Sequence, residues 1–320
     1  MRHNSYEVLV GYVHVPVLVR ELIRLVEDSP LAGRGIMVDC TVGEGGHAEI
    51  FLRRFNELRI IAFDRDRHIL RRAKERLSAY GGRIDFFNDN FARIAQHLAE
   101  MRAGIGYILY DFGISSFHLE MSGRGFSFAK DEPLDMRLDG EGRSAGSIVN
   151  ASDEKTLADI IFRYGEERWA RRIAAAIVRE RDTAPIETTG RLAEVVCRAI
   201  PKRFHVKNIH PATRVFQAIR IAVNDELKAI DESLASAAGL LAPGGRIMAV
   251  SFHSLEDRIV KDRFRRLARG CVCDRIPQDC RCDGAPMVKL LTKKPIRPDA
   301  EEIAENSRAR SARLRACERI

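Results

Sequence analysis

"VDCTVGEGGHAEIF", residues 38–51, decides how this chain folds. An apolar run ends in an acid, a glycine-rich turn follows, and a helix-forming segment takes over. Strand, tight turn and helix in that order surround a ligand with backbone N–H groups and a helix N-terminus, the usual cradle of a nucleotide-like cofactor. Gly43-Glu44-Gly45-Gly46-His47-Ala48 fits the pattern G-x-G-x-x-A, and Asp64 lies 19 residues past Gly45. An acid at that place accepts hydrogen bonds from ribose hydroxyls. The spacing suits a nicotinamide dinucleotide. It equally suits a bare strand–helix turn that holds no ligand. Charge favours a third reading. Asp39 and Glu44 bracket the turn and would repel a pyrophosphate, whereas S-adenosylmethionine (AdoMet) has no phosphate and carries a sulfonium and an ammonium.

Around this turn the first third of the chain alternates strand and helix signals. Strands are expected over 35–43, 59–66, 83–90 and 105–113. Helices are expected over 47–55, with Ile50, Leu52 and Phe55 apolar, and over 68–80, stopped by Gly81-Gly82. Such alternation predicts a doubly wound α/β fold with a parallel sheet. Open sheets of that kind bind ligands beyond the carboxyl ends of their strands. Asp39, Asp64, Asn90 and Asp111 all fall at such ends; Phe91 beside Asn90 suits an aromatic face for adenine, and taken alone it suits ordinary core packing.

The pattern breaks between Phe117 and Asn224, where no buried strand is legible. Residues 156–181 read as amphipathic helix, with Trp169, Ile173, Ala176 and Ile177 at helical spacing. Residues 210–227 read as another, with Pro211 at its first position and Val215, Phe216, Ile219 and Val223 on one face. This predicts a helical insertion in the α/β domain. The α/β text then resumes: a helix over 229–242, a turn at 243–245, a fifth strand over 246–254, and two last strands over 287–293 and 312–320, expected as a hairpin.

The 320 residues are 45% hydrophobic and 31% charged, with Lys+Arg 53 against Asp+Glu 45, a net charge of +8. That suffices for a sizeable core. No apolar run nears the ~20 residues of a membrane span, and the N-terminal stretch lacks the features of a signal peptide, so a cytoplasmic protein without a membrane partner is expected. The basic balance suits a polyanion such as nucleic acid, or simply solubility. Arg163, Arg168, Arg171, Arg172 and Arg179 crowd one expected helix, followed by Lys202, Arg203, Lys207 and Arg214. Phosphate contact is one reading, and a solvated face paired with Glu166 and Glu167 the other. Cys271, Cys273, Cys280 and Cys282 form C-x-C-x6-C-x-C, which suits zinc, free thiols or a self-closing loop. No metal is assigned to the site.

"YDFGISSFHLE" (110–120) and "RGFSFAKDEPLDMR" (124–137) carry a family resemblance, joined by "HVPVLVREL" (14–22), "YGEERWARRIAAAIV", "HPATRVFQAIRIAVNDEL", "PGGRIMAVSFHSLEDRIVK" and "ENSRARSARLRACER". The chain resembles, nearly end to end, the bacterial 16S ribosomal RNA cytosine-N4 methyltransferases, the RsmH or MraW family. The resemblance implies an AdoMet-dependent, Rossmann-like methyltransferase domain over 1–118 and 224–320, with an inserted all-helical domain over 119–223 that recognises RNA. It implies N4-methylation of the cytidine at position 1402 (rRNA numbering), with 16S rRNA or the small ribosomal subunit as partner, and a homodimer. It puts cofactor contacts on Gly45, Gly46, His47, Asp64, Phe91, Asp111 and His118, the last being glutamine in some relatives. Where many amino-group methyltransferases carry Asp/Asn-Pro-Pro-aromatic, this chain has Asp111-Phe112-Gly113-Ile114-Ser115-Ser116, so that motif's usual account does not transfer.

The chemistry so implied is demanding. The exocyclic amine of cytosine is a weak nucleophile and must be held in line with the S–CH3 bond. It needs acceptors for its N–H bonds as the nitrogen becomes tetrahedral. Asp111 is the catalytic candidate, with Ser115 and Ser116 beside it. Asp135, Arg137 and His253 are candidates for the cytidine pocket, or equally for structural ion pairs and loop caps.

Overall fold

The computed structural model describes residues 15–100, 104–207, 209–269 and 284–320. Contacts divide the chain into two compact units, Met1–Ser115 with Ile230–Ile320, and Ser116–Ala229.

The first unit is built on seven strands: β1 (Gly35–Asp39), β2 (Leu58–Phe63), β3 (Ile84–Phe87), β4 (Ile105–Asp111), β5 (Leu241–Ser251), β6 (Val288–Leu290) and β7 (Arg313–Arg319). Their order across the sheet is β3-β2-β1-β4-β5-β7-β6. The first five run parallel; β7 is antiparallel to both β5 and β6. The sequence explains the parallel part. "LRIIAF" and "IGYILYD" are nearly continuous apolar runs because helices cover both faces of such a sheet, and all but Arg59 and Asp111 of these two strands are buried. Met37, Ile60, Tyr107, Leu109 and Met248 from the strands meet Leu22, Val26, Phe51 and Leu52 from helices Val19–Glu27 and Gly46–Arg54 in one core. The buried Tyr107 hydroxyl bonds Ser29 Oγ at 2.6 Å and accepts from Gly33 N at 2.8 Å.

Local details depart from expectation. Helix Arg67–Arg76 stops before the glycines; a 3-10 turn, Ser78–Tyr80, carries the chain on to them. β6 and β7 pair antiparallel, as expected, but the expected hairpin connection is replaced by helix Ala300–Glu305 and a 3-10 turn. The Pro-Gly-Gly turn belongs to β5, where Gly244 takes φ +77° and the ladder with β4 shifts register.

The second unit is helical: Ser116–Glu120, Ala145–Ala151, Glu154–Gly165, Ala170–Arg181, Thr189–Ala199 and Thr213–Asn224. Among the described residues its only β pairing is an isolated bridge, Pro133 to Thr188. The helix expected over 156–181 is two helices, broken at Glu166, which takes φ +49°. Gly165 ends the first of them where a Cβ would lie 2.7 Å from the Arg214 carbonyl, so only glycine permits that approach. Pro211 lies outside helix Thr213–Asn224, whose N-cap is Ala212. Among the described residues no helix is long and apolar enough to cross a membrane.

Candidate cofactor site

The strand order reverses between β1 and β4: the chain leaves β1 towards β2 on one side and β4 towards β5 on the other. A crevice opens at the carboxyl end of such a switch point. Asp39 ends β1 and Asp111 ends β4, on the two strands that flank it. Asp64 follows β2 and Phe91 follows β3.

The glycine turn is shaped by both conformation and packing. Gly43 and Gly45 take φ +53° and +83°, a region side chains avoid. Gly46 opens helix Gly46–Arg54, and a Cβ there would lie 2.6 Å from Pro16 Cγ. The Asp64 carboxylate holds the turn, accepting from Gly43 N at 3.0 Å and from Asp66 N at 2.9 Å. Asp66, buried, caps the next helix through His68 N. Glu44 behaves differently from the sequence argument. Its buried carboxylate meets Arg72 Nε at 2.7 Å, so most of its charge is spent on that guanidinium. The anionic character of the site rests on the other acids.

Those acids form a buried cluster with His47. Asp39 Oδ1 accepts from Thr41 N at 3.1 Å, and Thr41 Oγ1 accepts from Asp111 N at 2.7 Å. Thr41, which sequence reasoning passed over, thus ties the ends of β1 and β4 together. His47 donates from Nε2 to the Val17 carbonyl at 2.9 Å and turns Nδ1 towards Asp111 Oδ2 at 3.5 Å. Asp111 Oδ1 is buried and has no hydrogen-bond partner among the described residues. Burial raises the Asp39 carboxyl from 3.8 to about 7, aided by the charges of Asp111 and Asp64 and opposed by His47 and the Thr41 bond. Burial, then the nearby Glu256 charge, raises Asp111 likewise to about 7. Burial lowers the His47 pKa and keeps its ring neutral. Glu256 is a second residue that sequence reasoning missed; its signal was its place in "SFHSLED", where attention went to His253.

Beside this cluster Phe91 packs edge-on to Tyr110 at 5.9 Å and tilted to Phe112 at 6.0 Å, while Tyr110 and Phe112 stack at 5.3 Å. Half-buried Phe91 keeps some ring surface open. Asn90 spends its Oδ1 on capping the turn Phe91–Arg93, through Ala92 N. His253 Nε2 lies 3.1 Å from Glu256 Oε1, and Glu256 Oε2 accepts from the amides of Phe252 and His253.

Other candidates lie in the second unit and are placed within it. His118 is buried against Phe117 and Phe126. Ser116 is buried at the start of the same short helix; Ser115 ends the first unit. Arg137 grips Asp135 with Nε at 2.7 Å and Nη2 at 3.0 Å, around Met136 at φ +58°. That is the structural ion pair, and it holds Asp135 below the usual carboxylate range. Arg163 lies on helix Glu154–Gly165, whereas Arg171, Arg172 and Arg179 lie on Ala170–Arg181, so the expected single basic helix is two. Arg214 pairs with Glu167 at 3.8 Å. The four cysteines from Cys271 to Cys282 lie outside the described residues.

A nearly buried carboxylate with an orphaned oxygen, beside a second acid of raised pKa, suits a cation that arrives with its ligand. AdoMet brings two such groups; a dinucleotide would bring a pyrophosphate against Asp39. The donor set therefore fits AdoMet.

Comparison with known proteins agrees. A protein named ribosomal RNA small subunit methyltransferase H from Geobacter sp. (strain M21) is 49% identical over 310 residues, covering 96% of this chain and 98% of that one. A protein of the same name from Treponema denticola is 46% identical over 312 residues, again 96% and 98%. Among solved structures, an rRNA methylase from Streptococcus thermophilus aligns over 97% of this chain and 99% of its own at 11% identity and TM-score 0.38, too slight a likeness to bear on the assignment. The MraW methylase family model spans residues 11–320, and the chain belongs to that family.

Proposed function

We propose that the protein transfers a methyl group from AdoMet to N4 of a cytidine in the decoding region of 16S rRNA, position 1402 by resemblance. The observation that carries this reading is Asp111: a carboxylate at the switch point, nearly buried, with Oδ1 unpartnered and its pKa near neutrality.

Gly45 and Gly46 bring backbone close to the cofactor, Asp64 offers acceptor capacity beyond its bonds to the turn, and Phe91 offers a ring face to adenine. His47, anchored through Nε2 on the Val17 carbonyl, and His118 belong to the same set by resemblance. Bound there, AdoMet supplies a methyl group already activated on sulfur. Asp111 Oδ1 accepts an N–H of the cytosine amine and orients its lone pair. As the nitrogen becomes tetrahedral its proton grows acidic. Burial of the Asp111 carboxyl, which raises its pKa, makes it a readier proton acceptor than an exposed carboxylate. The target cytidine must be unstacked to reach the site.

The helical unit, Ser116–Ala229 in the structure against 119–223 expected from sequence, is read as the part that recognises RNA, with the small ribosomal subunit as substrate and a cytoplasmic homodimer as the working form. The test uses labelled AdoMet with unmethylated small subunits and, separately, with free 16S rRNA. The reading predicts transfer to one of them, abolished by Asp111→Ala. Tight NAD binding without AdoMet binding would overturn it in favour of a hydride-transfer enzyme. Normal RNA binding without any methyl transfer would reduce the protein to a binding factor.

A further inference from the structure

The second unit carries a cluster of rings and guanidinium groups that the cofactor chemistry leaves unused. Trp169 and Phe204 lie 5.1 Å apart at a tilt. The Arg168 guanidinium sits 5.4 Å from the Trp169 centroid and 4.7 Å from that of Phe204. The Arg203 guanidinium sits 4.9 Å from Phe204. Both arginines are exposed and both rings half-buried. Two chain breaks assemble the group. Trp169 is the N-cap of helix Ala170–Arg181, just past the break at Glu166, and Phe204 ends the 3-10 turn Lys202–Phe204.

Cations outnumber acids in the sequence around the cluster, where Glu167 Oε1 accepts from Trp169 N at 2.9 Å and its Oε2 faces Arg214 at 3.8 Å. Arg163, Arg168, Arg171, Arg172, Lys202 and Arg203 are all exposed, and among the described residues none forms an ion pair. Arg191 and Arg198 of the same unit pair with Glu180, and Arg220 with Glu226. Arg171 and Arg172 occupy the first turn of their helix, where no acid stands and where the helix dipole disfavours a cation. The sequence accepts that cost. Among the described residues the buried Trp169 Nε1 has no acceptor.

Rings interleaved with guanidinium planes and surrounded by unneutralised cations match what an unpaired polynucleotide requires: faces for bases and charges for phosphates. A duplex hides its base faces, and an acidic peptide has none to stack. We propose that the Arg168–Trp169–Phe204–Arg203 cluster is a stacking platform for unpaired bases of the RNA substrate, with Arg163, Arg171, Arg172 and Lys202 holding adjoining phosphates. This rests on the reading of the protein as an rRNA methyltransferase.

Trp169 is the chain's single tryptophan, so its fluorescence reports on the cluster alone. The full-length protein is titrated with a short unpaired oligoribonucleotide, the same oligomer made abasic, duplex RNA and polyglutamate. Saturable quenching is expected with the unpaired oligomer only. The exposed double variant Arg168→Gln/Arg203→Gln, with its fold checked by circular dichroism, should bind that oligomer about tenfold or more weakly. Arg171→Gln should keep the quench and lower the salt slope by about 0.7. Equal quenching by the abasic oligomer, duplex or polyglutamate overturns the proposal, as does binding seen by anisotropy without quenching, or unchanged affinity in the double variant. Methyl transfer to small subunits, run in parallel, keeps the two readings apart. Transfer without quenching sinks the platform alone; quenching without transfer upholds the platform and sinks the enzymatic reading.

Discussion

Asp111→Asn should make the ligand-free protein more stable at pH 8 while weakening its hold on AdoMet. Burial raises the Asp111 carboxyl from 3.8 to about 7 in the folded protein. In the unfolded chain the group ionises near 3.8. Between those values the folded state binds more protons than the unfolded one, so stability falls as pH rises from about 4 to about 7 and levels off above. A shift of that size corresponds to about 4 kcal/mol. This is an upper limit, because 11% of the side chain still meets water. Asparagine keeps the shape and removes the charge, at a cost of roughly 1–3 kcal/mol for a buried amide without full partners. The net gain at pH 8 is then about 1–3 kcal/mol, a rise of several degrees in the unfolding midpoint at about 2–4 °C per kcal/mol. At pH 5 the gain should be smaller by roughly 2–3 kcal/mol. Scanning calorimetry of both proteins at pH 5 and pH 8, with and without AdoMet, reads all of this. AdoMet should raise the wild-type midpoint much more than that of the variant. A variant less stable than wild type at pH 8, or one stabilised equally by AdoMet, would refute the argument that Asp111 is a carboxylate awaiting a cation.

Three further outcomes follow from the same geometry. Because Asp39 and Asp111 both titrate near 7 and a bound cation favours their ionised forms, AdoMet affinity should rise between pH 6 and pH 8, by at most about tenfold per pH unit for each coupled group. Calorimetry in buffers of different ionisation enthalpy should show proton release on binding; a flat profile would contradict the assignment. Gly46→Ala places a Cβ 2.6 Å from Pro16 Cγ, so denaturant unfolding should show a loss of about 1–3 kcal/mol. Arg72→Met strands the buried Glu44 carboxylate and should cost about 3 kcal/mol. Adding Glu44→Gln should restore most of it; additive losses in the double variant would show that the pair does not act as a unit.

The parallel strands were legible because burial on both faces writes them as unbroken apolar text, as in "IGYILYD". The acids at their ends were legible for the same reason: Asp39 and Asp111 are the first polar residues after a buried run. What escaped the sequence depends on partners distant in the chain. Helical periodicity runs on through Glu166, whereas the structure turns there at φ +49°, beside the close approach of Gly165 to the Arg214 carbonyl. The charge of Glu44 counted towards the cofactor until Arg72, on the next helix, took it up. Asp135 and Arg137 were open between pocket and ion pair, and their bidentate contact settles their ground-state bonding. Thr41 carries no signal of its own in the sequence, since its part is to accept from Asp111 N, and the part of Glu256, whose charge raises the Asp111 pKa, depends on a partner distant in the chain.

Nucleoside analysis tests the central claim most directly. Small ribosomal subunits lacking the modification are incubated with the protein and labelled AdoMet, the rRNA is digested, and the labelled nucleoside is identified by mass spectrometry. The account predicts N4-methylcytidine, lost in Asp111→Ala. Label on C5, on a ribose 2′-oxygen or on another base would contradict it, as would no label from a protein shown to bind AdoMet.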